Sequence, residues 1–274
     1  MEERTAQKRD KIKNAVQLIC AGILLALFLV FSLLKIEYSS DARTNRLIRS
    51  ALPLIFGVGV VAIALVRMKI KLFSKPQRLL FLLPCFLVAV NNFPFASYFA
   101  GESVFLSPTA GQVALFALYC LLVGLFEEGV FRGIVFPIFA EKLPHNKRGF
   151  LLAFVLSSVL FGLVHLFNLF AGASVGGTFL QVGYSTLIGG LCAFALIQTK
   201  NILCCAAVHA VYNFCGLLLD GNLGLGGGVV FTLPTTLMMA VVGVMVGVFV
   251  LWKTFTYPED ERKLLYRKFG ITEE

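Results

Sequence analysis

Residues 111–140 read GQVALFALYCLLVGLFEEGVFRGIVFPIFA, an apolar run whose only charges are Glu127, Glu128 and Arg132. A charge placed in hydrocarbon costs about 2.5–3.5 kcal/mol on insertion scales, so three in one membrane span require partners and mark a functional site by default. That the run spans a membrane follows from the whole chain: 58% of its 274 residues are hydrophobic, 14% are charged, and the mean hydropathy is +0.85. Such a composition excludes an ordinary soluble domain and places the chain among polytopic membrane proteins.

A crossing needs about 20 apolar residues, and eight segments qualify, at about 15–34, 51–67, 79–92, 111–139, 150–170, 180–198, 202–219 and 231–252. The expected fold is all-α: a polytopic transmembrane helix bundle of about eight spans enclosing a polar catalytic cavity, in a single membrane domain over residues 1–274. The third segment is the weakest, because Pro84, Asn91, Asn92 and Pro94 interrupt or end it. The first follows a basic start, but its length and the lack of a small-residue cleavage site favour an uncleaved anchor.

The formal net charge is +9, which in a soluble chain would raise the question of nucleic acid. Here Lys and Arg collect in alternate connections, from Arg4 to Lys13, Arg67 to Arg78, Lys142 to Arg148, at Lys200, and from Lys253 to Lys268. Segments 93–110, 171–179 and 220–230 contain neither residue. The positive-inside rule then puts both termini in the cytoplasm of a multi-pass protein of the bacterial cytoplasmic membrane, with the bilayer and no nucleic acid as its surroundings. Residues 35–50 dissent, since they should lie outside yet carry Lys35, Arg43, Arg46 and Arg49. The seven Cys lie in apolar spans without a C-x-x-C pair, so they read as small core residues; Cys205 shares a helical face with His209.

On a helix, residues four apart share a stripe and adjacent residues diverge by about 100°. Glu128 and Arg132 therefore form a structural ion pair, while Glu127 points elsewhere and is free to act on a proton or an ion. His145 lies in a basic loop and reads as solvated. His165 and His209 lie within spans, and His209 shares a face with Asn213 at i, i+4. Each alone reads as a packing residue, but a free Glu, two His and an Asn on three spans favour one polar cavity, because buried polar groups cost several kcal/mol unless satisfied. A base, an imidazole that can hold water or a metal, and an amide that can donate to an oxyanion are parts for peptide hydrolysis.

These residues stand in three motifs, Glu127-Glu128-Gly-Val-Phe-Arg132, Phe161-Gly-Leu-Val-His165 and His209-Ala-Val-Tyr-Asn213. In order and in membrane context, they resemble the E-E-x-x-x-R, F-x-x-x-H and H-x-x-x-[ND] motifs of the type II CaaX protease and bacteriocin-processing family (CPBP, Abi). The resemblance covers about residues 111–219. It implies an eight-helix intramembrane endopeptidase acting on membrane-associated or prenylated proteins or peptides, with a cavity open to the cytoplasm or inner leaflet. Glu127 and His165 would activate the attacking water, and His209 and Asn213 would line the oxyanion site. It leaves two chemistries open: a metalloprotease in which Glu127, His165 and His209 hold zinc, and a metal-free glutamate mechanism. No H-E-x-x-H, the stronger metal signal, is present.

Two other readings compete with this one. G-A-S-V-G at 172–176 matches the G-x-S-x-G pattern, but an uncharged interhelical turn lacks the strand-to-helix elbow that a serine hydrolase needs. A non-enzymatic scaffold for bacteriocin maturation or immunity, or a proton-coupled transporter using Glu127 and the His pair, is the alternative; no repeat between the halves supports the transporter. The oligomeric state is not legible in these residues.

Overall fold

The computed structural model describes residues 2–170, 172–228 and 232–271. Phe231, at the start of the eighth expected span, lies outside the described residues, as do residues 171, 229 and 230 of the connections without Lys or Arg. In chain order the helices are α1 (Glu2–Leu33), α2 (Ala42–Arg67), α3 (Leu82–Asn91, entered through a 3-10 turn at Leu79–Phe81) and α4 (Phe95–Phe99). They continue with α5 (Ala110–Val130), α6 (Phe136–Lys142), α7 (Lys147–Leu163), α8 (Val175–Thr199), α9 (Ile202–Leu217), α10 (Leu233–Phe255) and α11 (Glu259–Lys268). Strands β1 (Ser103–Phe105) and β2 (Gly226–Gly228) pair antiparallel.

Among the described residues, six helices are long and apolar enough to cross a membrane, counting Ala110–Lys142 as one. Leu79–Asn91 and Ile202–Leu217 are apolar but shorter. At 1.5 Å per residue, 16 residues of α9 reach about 24 Å, less than the ~30 Å hydrocarbon thickness, so helix lengths do not establish eight full crossings. The expected second span also begins earlier than position 51. Asp41 caps α2 by accepting from the Thr44 amide at 2.7 Å, which carries Arg43, Arg46 and Arg49 onto the opening turns of the helix. Arg46 Nε donates to Asn222 O at 2.8 Å, so part of the dissenting charge is tied to the 218–225 connection.

The span that holds the charged cluster starts from a capping box. Thr109 Oγ1 accepts from the Gln112 amide at 3.2 Å, and Gln112 Oε1 accepts from the Thr109 amide at 3.0 Å. Gln112 Nε2 also donates to Asp41 Oδ1 at 2.9 Å, linking the starts of α2 and α5. Further on, the helix widens into a π turn over Phe131–Val135 before α6 resumes. Pro137 explains this: it has no N–H to give a carbonyl one turn back, and a wider turn relieves its ring. The Phe131 carbonyl instead accepts from the Phe136 amide and from Ser157 Oγ of α7.

Helix α5 packs on α9, α7 on α8, and α1 on α2. Gly124 permits the first contact, since a Cβ there would stand 2.6 Å from the Ala206 carbonyl oxygen. Outward faces of α1 and α10 stay apolar and open, as at Val244 and Val248, which is what a lipid-facing surface requires. At the basic end, Tyr257 Oη donates to Ile197 O at 2.8 Å, and α11 buries Leu265 and Tyr266 against the bundle. Glu261 there pairs with Lys200 and, at 2.9 Å, with Arg78.

Candidate active site

Glu128 and Arg132 are both fully buried, with Glu128 Oε2 3.0 Å from Arg132 Nε. This contact is an ion pair without hydrogen-bond alignment, because neither atom has a hydrogen-bond partner among the described residues. Of the guanidinium nitrogens, Nη2 donates to the Gly189 carbonyl, while Nη1, like Nε, has no hydrogen-bond partner among the described residues; the guanidinium carbon lies 4.7 Å from the Phe161 ring centroid. Gly189 gives this contact room, since a Cβ would crowd Arg132 Nη2 at 3.1 Å and Ser158 O at 3.1 Å.

Glu128 has a second partner that helical spacing did not reveal. Its Oε1 lies 2.7 Å from His209 Nδ1, across the α5–α9 contact. The Glu128 carboxylate oxygen accepts here, so Nδ1 carries the hydrogen and Nε2 faces the other way. There it stands 3.6 Å from Glu127 Oε2. One imidazole thus bridges the two adjacent glutamates, which diverge as their helical positions require.

His165 follows the end of α7, in a 3-10 segment spanning Val164–Leu169. Its Nδ1 lies 3.0 Å from the Phe161 carbonyl, which can only accept, so this nitrogen donates and Nε2 is left with the lone pair in the neutral ring. Phe161 is the common neighbour: its ring meets those of His165 and His209 edge-on, with centroids 5.5 and 5.7 Å away. The Asn168 amide, nearby in the same segment, donates to Gln181 Oε1 of α8 at 2.8 Å.

Glu127, His165, His209 and Asn213 line one cavity of about 250 Å³. Tyr119, Gln181, Tyr184, Ser185 and Tyr212 add polar groups to its wall. So does Asn92, read in the sequence only as the end of a span; its Nδ2 donates to Tyr212 O at 2.9 Å, filling the notch left by Gly216. A polar side chain at the end of an apolar run was the signal for it. His145, in contrast, sits in an exposed loop with Nε2 3.3 Å from Glu141 O. Ser174 of G-A-S-V-G is the N-cap of α8, accepting from the Gly177 amide at 3.2 Å.

The donor atoms of the described residues do not assemble a zinc site. Among the described residues, one set of three acidic, His or Cys groups brings its ligand atoms within 4.8 Å of one another: Glu128, Cys192 and His209. The thiol is Cys192 of α8, not Cys205, whose Sγ bonds back to Asn201 O at 3.6 Å. This set does not fit a metal, because both oxygens of Glu128 are taken and a divalent ion would stand beside the Arg132 guanidinium. Facing the cavity, the 3.6 Å between Glu127 Oε2 and His209 Nε2 approaches the spacing set by zinc bonds of about 2.0–2.2 Å. Two donors at that spacing do not make a site, and with His165 they do not form a set within 4.8 Å.

Comparison with known proteins bears on the same helices. Residues 109–215 match the family model described as type II CAAX prenyl endopeptidase Rce1-like. Over 100 residues the chain is 28% identical to CAAX prenyl protease 2 of Saccharomyces cerevisiae. The aligned stretch is 33% of this chain and 32% of the yeast protein, so the match spans about a third of that relative. No solved structure matches. The long apolar helices and the family match together describe an integral, multi-pass membrane protein. The matched residues 109–215 carry Glu127, Arg132, Phe161, His165, His209 and Asn213, so the similarity to the Rce1-like type II CAAX prenyl endopeptidase family falls on the helices that line the cavity.

Proposed function

We propose that the protein is an intramembrane endopeptidase that hydrolyses a peptide bond in a membrane-associated protein or peptide, with water activated by Glu127. The observation that carries this reading is the division of labour between neighbours: Glu128 is occupied by Arg132 and His209, while the Glu127 carboxylate faces the cavity beside His209 Nε2. The family match of the same segment supports it.

In this mechanism, water is held between Glu127 and His165 Nε2. Glu127 takes its proton as the oxygen adds to the scissile carbonyl carbon. Negative charge then develops on the carbonyl oxygen, where the Asn213 amide and the Nε2–H of a protonated His209 donate to it. Glu128 holds the imidazolium in register through Nδ1. The C–N bond breaks as Glu127 returns its proton to the leaving amine. No step needs a metal.

The test is cleavage of a membrane-peptide library by the purified protein in liposomes, in water enriched in oxygen-18 and with a chelator added in parallel. New termini carrying the heavy oxygen, formed equally with chelator, are the expected result. A folded protein that cleaves nothing in such a library contradicts the reading, and cleavage abolished by chelator and restored by zinc contradicts the metal-free chemistry.

A further inference from the structure

The cavity lies to one side of the catalytic pair along every helix that forms it. On α5, Tyr119 and Val123 precede Glu127, toward the Ala110 end. On α9, Tyr212, Asn213, Gly216 and Leu217 follow His209, away from Ile202. On α8 the lining runs from Gln181 in the first half to Ile188 at the middle of the helix, and Asn92 and Leu223 close the wall from the end of α3 and the 218–225 connection. All these positions point toward the end of the bundle that bears α4, β1 and β2.

In the opposite direction the molecule is sealed. Below His209 come the buried Glu128 and Arg132, then a layer in which Leu196, Ile197, Lys200 and Ile202 are each no more than 4% exposed. The connections and α11 cover that layer through paired backbone groups, Gln77 N to Thr199 O at 3.1 Å and Lys71 N to Lys268 O at 2.8 Å. A peptide cannot reach Glu127 from that side without unpacking the bundle.

Charge tells the two ends apart. Of 24 Lys and Arg, 19 lie at the sealed end, Arg132 lies between, and four, Lys35, Arg43, Arg46 and Arg49, lie at the open one. Arg67 Nη1 donates to Asn14 O, which fixes the base of α1 at the sealed end as well. Such an excess marks the cytoplasmic face.

We infer that the active-site cavity opens to the non-cytoplasmic side of the membrane, and that the substrate is a peptide segment presented from that side or from its leaflet. This rests on the endopeptidase reading above and reverses the cytoplasmic opening that the sequence resemblance implies. A second cavity, of about 360 Å³, supports the leaflet route. It adjoins the first through Asn92, Tyr184 and Tyr212 and is walled by Phe179, Leu187 and Val244, from the same half of α8 and α10. An apolar stretch of the same substrate lying there keeps its scissile bond within the polar cavity.

The test is labelling of single introduced cysteines in the full chain by a charged, membrane-impermeant thiol reagent, with sites located by peptide mass against the natural cysteines. Asn222→Cys and Lys142→Cys report the two ends; Val123→Cys reports the cavity one turn from Glu127, with Leu217→Cys as a second cavity position should the first disturb folding. Asn222→Cys and the cavity cysteine are expected to react fully in intact cells, and Lys142→Cys only after permeabilisation. Reaction of Lys142→Cys in intact cells with protection of Asn222→Cys overturns the orientation. Cavity cysteines that react only after permeabilisation, or in neither state, overturn the opening. Because cleavage is not read, either failure leaves the endopeptidase reading standing.

Discussion

His209 Nδ1 stands 2.7 Å from Glu128 Oε1, and the other oxygen of the same carboxylate stands 3.0 Å from Arg132 Nε. The imidazole that faces the cavity is thereby anchored to a cation buried at mid-span, Arg132. On the proposed reading, Glu128 is a positioning residue with a structural burden, and Glu127, beside it in sequence, is free of that burden.

Replacing Glu128 with Gln leaves the Arg132 guanidinium buried without its counter-charge. Breaking one side of a buried pair typically costs about 3–5 kcal/mol, so Glu128→Gln is expected to unfold well below wild type in detergent and to lose hydrolysis with it. An unchanged unfolding transition would show that Arg132 is satisfied without the carboxylate.

Phe161 presents its face to Arg132 and its ring to both histidines. Phe161→Leu keeps apolar bulk but removes the ring quadrupole, a loss of about 2 kcal/mol for a desolvated cation. Hydrolysis should fall along with stability, since both imidazoles lose a wall. Full activity in Phe161→Leu would mean that the ring is packing alone.

The α5–α9 contact that brings Glu128 to His209 depends on Gly124. Gly124→Ala forces the helices apart at the Ala206 carbonyl and should cost about 1–3 kcal/mol, the range for overpacking. Gly111→Ala, near the start of the same helix, has only Thr109 Oγ1 within 4 Å, at 3.9 Å, and should be close to neutral. Equal melting temperatures for the two variants would contradict the close crossing.

At the basic end, the hydrogen bond from Lys200 holds the Glu261 carboxyl below the usual carboxylate range. Because its folded value lies below the unfolded one of about 4.3, the stabilisation is complete above that value and is lost as pH falls through the lowered folded value. Amide protection across residues 259–271, corrected for the intrinsic pH dependence of exchange, should stay high at neutral pH and fall on acidification. Glu261→Gln should exchange faster at neutral pH and lose that dependence; identical profiles would remove Glu261 from the clasp.

Much of this was legible from residue order. The apolar runs set the helical class because hydrocarbon tolerates few unpaired groups, and i, i+4 spacing put Glu128 beside Arg132. Contacts between helices were not legible: nothing local tells Glu128 that His209 lies across a crossing made at Gly124, or that Cys192 rather than Cys205 supplies the nearby thiol. The early start of α2 escaped because Arg43, Arg46 and Arg49 read as a charged loop, whereas Asp41 and Thr44 held the cap signal. Pro137 carried the π turn, which a hydropathy window does not register. The direction in which the cavity opens depends on which half of each helix lines it, and only the packed bundle discloses that.

The most direct test of the central claim compares Glu127→Gln with wild type on one membrane peptide that the wild type cleaves, reading initial rate and unfolding temperature together. A general base contributes about 10²–10⁴-fold, so the rate should drop by at least that lower factor while the unfolding temperature stays near wild type. A Glu127→Gln protein that cleaves at the wild-type rate would contradict the account.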